Sequence, residues 1–281
     1  TAGAITRGEG GLILNFDPGV FEISGDATFN GAEISNLGTL AITGFPNLAT
    51  TLNNSGVINH AGRLDFNPGG KLNNLAAGRF EILGTTSGNY FFNFGGDGFF
   101  NSGTLVKSQT ANAEFHTVPF HNSGSGKIEV AGGTLTIGSN GTWANAHFVV
   151  AAGGSVIIDG GTKTWTGNFT GEGAGSVVFT AGTITIGETG AVLNFPAGMF
   201  TISGNGTLNG AAFSNIGALA IAGEPNLATT LNNSGVINHA GRLDISPGGR
   251  LNNLSTGRFE ILGTTSGNYF FNFGGEGFFN A

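Results

Sequence analysis

The stretch Leu52-Asn-Asn-Ser-Gly-Val-Ile-Asn-His-Ala-Gly-Arg-Leu-Asp65 recurs without change at residues 231–244. Fourteen identical residues rich in Asn and Gly, with one His in each copy, are either a site used twice or a structural tile laid down twice. Their surroundings decide for the tile. Residues 1–101 align without a gap to residues 180–280, with 77 identities in 101 pairs. The alignment is already running at residue 1 and still running at residue 280. The chain therefore reads as one 179-residue unit plus part of the next, cut from a longer tandem array. Its expected organisation is one continuous repeat structure over 1–281, with 1–101 matching 180–280 and residues 102–179 completing the unit.

Within the unit a ragged shorter period appears. Asn-x-Gly marks at 36, 54, 101, 122, 215 and 233 are each followed by a short alternating run, such as GTLAITG, GKIEVAGGTLTIG and GSVVFTAGTITIG. Such runs, four to six residues long and bounded by Gly or Asn, are strands and turns. Gly recurs too often for a helix longer than a turn or two. Propeller blades need about 40–50 residues, and a β-sandwich does not repeat itself about every 20. A β-solenoid does, because each coil completes the backbone hydrogen bonds of the last. The spacing predicts coils of about 18–27 residues, about 13 of them, rising about 4.8 Å each in a rod near 60 Å long. Glycine supplies the positive φ of sharp corners. Phe16, Phe21, Phe29, Phe66 and Phe80 are expected to stack inward on successive coils, and corner Asn to bond amide to amide.

Composition removes several function classes. Gly is 53 of 281 residues without a G-x-y period, which excludes collagen, and hydrophobic residues are 39%, with 25 Phe, which excludes a disordered spacer. Ten Lys+Arg against 17 Asp+Glu give a formal charge of −7 and no basic run, so nucleic acid is not an expected partner. No run of 18 apolar residues exists, so membrane insertion of this segment is not expected. Cysteine is absent, which removes thiolate chemistry.

Candidate chemistry is thin. Glycoside hydrolysis needs two facing carboxylates. The best pair is Asp65 with Glu81, about one coil apart in sequence, copied as Asp244 with Glu260. Against it, Asp17, Glu22, Asp26 and Glu33 become Pro196, Thr201, Asn205 and Ala212, so the acidic surroundings are not kept. The expectation is no catalytic set. No metal is expected: His60 and His239 lack HxH or HExxH partners, and His116 and His121 are separated by Pro119. GGDG at 95–98 lacks a calcium repeat, and GEGAG at 171–175 lacks the Lys of a phosphate loop, so no cofactor is expected either. The dense aromatic run at 89–101 offers a candidate contact strip of Tyr90, Phe92 and Phe99, copied as Tyr269, Phe271 and Phe278. The simpler account is an apolar cap folded from a long turn. Flat Thr/Asn rows such as TITIG are a third candidate surface, for glycan or ice.

The passages FFNSGTLVK, FHNSGSGKIEVAGGTLTIGSNGTW, FVVAAGGSVIIDGG and GSVVFTAGTITIG resemble the repeat regions of large bacterial surface and secreted proteins, of the autotransporter-passenger and filamentous-haemagglutinin kinds. The resemblance covers most of the chain and is best at 101–190. It implies an all-β, single-stranded right-handed parallel β-helix, located outside the cell or on its surface. The implied role is a shaft or adhesive surface without a cofactor. Two partners are consistent with it: further copies of the chain, end to end or side by side through unpaired coil edges, and surface glycans.

Overall fold

The computed structural model describes residues 4–7, 9–85, 89–115, 117–263 and 270–281. They form parallel strands and turns, with no helix among them. The architecture is all-β, a parallel β-solenoid. It divides into two compact units, residues 1–141 and 142–281.

In the first unit each coil gives one strand to each of three columns. One column stacks Thr28–Gly31, Asn47–Leu48, Leu64–Phe66 and Asn89–Asn93. The second stacks Ile34–Asn36, Thr51–Asn54, Lys71–Asn74 and Gly98–Asn101. The third stacks Thr39–Ile42, Val57–His60, Arg79–Ile82 and Thr104–Lys107. All of these ladders are parallel and in strict register, Leu52 over Leu72 over Phe99. The interval between stacked residues ranges from 18, for Asn36 to Asn54, to 27, for Asn74 to Asn101. The second unit repeats the plan, with Phe213–Asn215, Thr230–Asn233, Arg250–Asn253 and Gly277–Asn280 in its second column. Its first two columns share long strands, Thr162–Glu172 and Thr183–Asn194, with a register shift between Trp165 and Gly167. Glycine at 167, with φ of 77°, turns that corner beside the side chain of Asn145, itself at φ of 59°.

The quoted tile follows its alternation. In Thr51–Asn54 and Val57–His60 every second residue is buried, which places Leu52, Asn54, Ile58 and His60 inside. The reason for glycine at its corner differs from the expected one. Gly56 does not have a positive φ. A Cβ there would lie 2.1 Å from the Gly38 carbonyl oxygen of the coil before. Close approach of stacked backbones, rather than left-handed dihedrals, selects glycine at this corner.

The inward Asn at this corner forms a ladder. Asn36, Asn54, Asn74 and Asn101 each donate from Nδ2 to Oδ1 of the next Asn, ending at Asn122, at 2.8 Å per rung. The second amide hydrogen of each goes to a backbone carbonyl, of Val57, Arg79, Thr104 and Lys127 in turn. Asn215, Asn233, Asn253 and Asn280 build the same ladder in the second unit. Each ladder begins where the preceding coil places Leu14 or Leu193 at the position below, so Asn36 Oδ1 and Asn215 Oδ1 are left without a partner.

Of the five inward Phe expected, Phe29, Phe66 and Phe80 are fully buried. Phe16 is 38% exposed and stacks on Phe21 outside the core, ring centroids 4.7 Å apart. It follows Asn15 after the strand Leu12–Leu14, where strand alternation no longer dictates direction. The aromatic core of the first unit is centred instead on Phe80, Phe91, Phe99, Phe115 and Phe120, with Phe91 and Phe115 stacked at 4.1 Å.

Candidate functional site

Asp65 and Glu81 belong to one coil and to different columns, so they do not stack on neighbouring coils as their spacing suggested. Asp65 lies between Asn47 and Phe92. Glu81 lies between Asn59 and Val106. Each carboxylate is held by the arginine two residues before it. Arg63 grips Asp65 in a bidentate pair at 2.5 and 2.8 Å. Arg79 pairs with Glu81 at 2.9 Å and reaches Glu129 at 3.8 Å, while Ser108 also donates to Glu81. Glu129, two coils along the same column, is paired with Lys127 at 2.7 Å. In the second unit Arg242 holds Asp244 and Arg258 holds Glu260 in the same way.

His60 and His239 point inward and are fully buried. His60 lies over Ile42 and under Ile82 and packs against Phe80 and Phe91, centroids 5.6 and 5.0 Å away. Neither ring nitrogen makes a hydrogen bond of ordinary geometry, although the Arg63 backbone bears on the ring. Burial pushes its pKa down to about 4, an opposing pull from the Arg63 backbone notwithstanding, and burial lowers His239 as well. The imidazole is a neutral core residue. The unfolded ring titrates near 6.5, so between about 6.5 and 4 the unfolded chain binds the extra proton. Stability is full above that window and falls as pH drops through it. From pH 7.5 to 5.0 we expect a loss of about 2 kcal/mol from His60. Urea titrations at the two pH values should show a smaller loss in His60→Leu; equal losses would contradict the assignment.

His121 is on the outside, stacked on Phe100 at 4.4 Å, and His116 lies outside the described residues. Among the described residues no group of three His, Cys, Asp or Glu could hold a metal ion. Among the described residues no helix is long and apolar enough to cross a membrane.

Two buried lysines were not singled out from the sequence. Lys107 lies inward between Ile82 and Val130 and donates to the Gln109 and Gly132 carbonyls. Lys163 donates to those of Asp159 and Gly160. Desolvation lowers both pKa values, that of Lys163 to about 8, where the Asp159 charge offsets part of the effect. Both ammonium groups are spent on backbone carbonyls. Strand parity contained the signal, since Lys107 shares a face with Leu105 and Lys163 with Trp165.

The expected aromatic strip is only partly outward. Phe99 is fully buried, touching Phe80, Phe115 and Phe120. The alternation of Gly98–Asn101 turns Phe100 outward in its place. Phe92 is half-buried, and Phe271 and Phe278 are each 40% exposed. The side chains of Tyr90 and Tyr269 lie outside the described residues. Each outward Phe of this coil lies under a cation from the coil before: Arg63 over Phe92 at 4.3 Å and Lys71 over Phe100 at 4.4 Å. The second unit repeats this with Arg242 over Phe271 at 4.5 Å and Arg250 over Phe279 at 4.0 Å.

An outward Thr array is present in the second unit, where Thr162, Thr183 and Thr207 stack in register beside Thr164, Thr185 and Asn209. It ends there, because the next coil offers Asn226 and Ala228 at these positions. Comparison of the chain with protein-family models, curated proteins and solved structures finds no match.

Proposed function

We propose that this chain is a non-enzymatic structural and adhesive module, a shaft of the kind that large bacterial surface proteins carry outside the cell. The observation that supports it best is the fate of the carboxylates. Asp65, Glu81, Asp244 and Glu260 are each tied to the arginine two residues before them. The inner residues of both units go to one repeated task, which is closing coils on one another. Repetition of the tile then sets length and multiplies weak outward contacts.

The rival reading is a polysaccharide-degrading β-helix enzyme, and a glycan- or ice-binding solenoid is a third. The test is a panel of polysaccharides incubated with the protein and read both for retention and for product release. We expect no oligosaccharide to be released. Release that disappears in Asp65→Asn would overturn the proposal in favour of the enzyme.

A further inference from the structure

The chain has four Asn-Gly pairs, with the asparagine at 30, 140, 205 and 209. In such a pair the backbone nitrogen of the glycine can attack the side-chain amide carbon of the asparagine, because no Cβ stands beside that nitrogen. Local backbone decides whether it does. Asn30 and Asn209 lie inside the strands Thr28–Gly31 and Thr207–Gly210. They are in register with Thr6 and Thr185, and an extended, paired backbone holds the two reacting atoms apart. Asn140 is exposed, but Gly141 already opens the long strand Gly141–Val150, and the Asn140 carbonyl accepts from the Phe120 N–H at 2.9 Å.

Asn205 differs from all three. It is exposed at the corner between the strands Phe200–Ile202 and Thr207–Gly210. Its side-chain amide meets no hydrogen-bond partner among the described residues. Glycine follows it for a reason of packing: a Cβ on residue 206 would lie 2.3 Å from Cζ of Phe179. The corner is anchored on either side of Asn205 rather than at it. The Gly204 and Gly206 carbonyls accept from the Glu224 and Asn226 N–H groups of the next coil, both at 2.9 Å. In the first copy the same corner has Asp26 followed by Ala27, and the Gly25 and Ala27 carbonyls accept in the same way from Phe45 and Asn47. The fold therefore accepts a carboxylate at this position.

We infer that Asn205 is a site of self-modification, converting to aspartate and isoaspartate through a cyclic imide formed with Gly206. The Gly206 nitrogen gives its proton to solvent and bonds to Asn205 Cγ. The Cγ–Nδ2 bond breaks, and the side-chain nitrogen leaves as ammonia. Water then adds to one of the two imide carbonyls and opens the ring. Opening at the side-chain carbonyl restores the ordinary backbone and leaves an aspartate, as at Asp26. Opening at the backbone carbonyl routes the chain through the side chain, which adds one methylene between two carbonyls that the next coil holds.

The test is incubation of the folded protein in mildly alkaline buffer, then proteolytic digestion and mass spectrometry with electron-transfer fragmentation. That readout separates asparagine, aspartate and isoaspartate at each position. We expect amide loss at Asn205 to be about tenfold faster than at Asn30, Asn140 or Asn209, with isoaspartate among the products. Asn205→Gln should abolish the signal at this position, because its longer side chain must close a larger ring, with an unchanged strand signal by circular dichroism. The inference fails if Asn30, Asn140 or Asn209 converts as fast as Asn205, or if Asn205 keeps its amide throughout. It also fails if isoaspartate at 205 appears only in protein held unfolded in urea.

Discussion

Asn74→Ala is expected to destabilise the first unit by about 4 kcal/mol. Asn74 is fully buried and is a middle rung of its ladder. It accepts from Asn54 Nδ2 and donates to Asn101 Oδ1, both at 2.8 Å, and to the Thr104 carbonyl at 3.1 Å. Alanine would leave one donor and two acceptors without partners in a site closed to water, at about 1–3 kcal/mol each. The adjacent residue is the control. Asn73 faces outward and makes one amide bond to Asn53 at 2.8 Å, and water can replace it, so Asn73→Ala should cost less than about 1 kcal/mol. Urea unfolding followed by far-ultraviolet circular dichroism measures both. Similar costs for the two variants would mean that the inner ladder contributes no more than an ordinary surface bond.

The second large effect takes its control from the same strand. Phe99→Ala should cost about 3–5 kcal/mol, because Phe99 is fully buried among Phe80, Phe91, Phe115 and Phe120, and its removal leaves a cavity in close-packed aromatic surroundings. Phe100, the next residue of Gly98–Asn101, faces outward between Lys71 and His121. Phe100→Ala should therefore cost roughly 1 kcal/mol, in line with the smaller apolar area it removes from water. Equal losses would show that the inward aromatic cluster contributes no more than an outward stack.

These two experiments bear on function through rigidity. Parallel coils are held by what lies between them: in the first unit an asparagine ladder and an aromatic cluster, and in the second a ladder and two clusters, one of Trp143, Trp165, Phe169 and Phe200 and one of Phe259, Phe270 and Phe278. Outward residues are then free to serve contacts.

Much of this protein follows from its sequence alone. The recurrence of LNNSGVINHAGRLD, the two-residue alternation and the density of Gly and Asn specify a β-solenoid with coils of 18–27 residues. A period of two and a period near 20 admit few other packings. Parity alone also places Leu52, Asn54, Ile58 and His60 on one side of their strands, and would have placed Lys107 and Lys163 inside. What parity cannot supply is which strand lies above which. Asp65 and Glu81 are sixteen residues apart, close to a short coil, yet the wide three-column coil puts them in different columns. Phe92 meets Arg63, and Phe99 meets Phe80 and Phe120, only because the coil between Asn74 and Asn101 spends 27 residues where its neighbours spend 20 and 21. Corner lengths set register, and register is a tertiary quantity. The close approach that demands glycine at 56 is of the same kind, a contact between coils 18 residues apart that no local window contains.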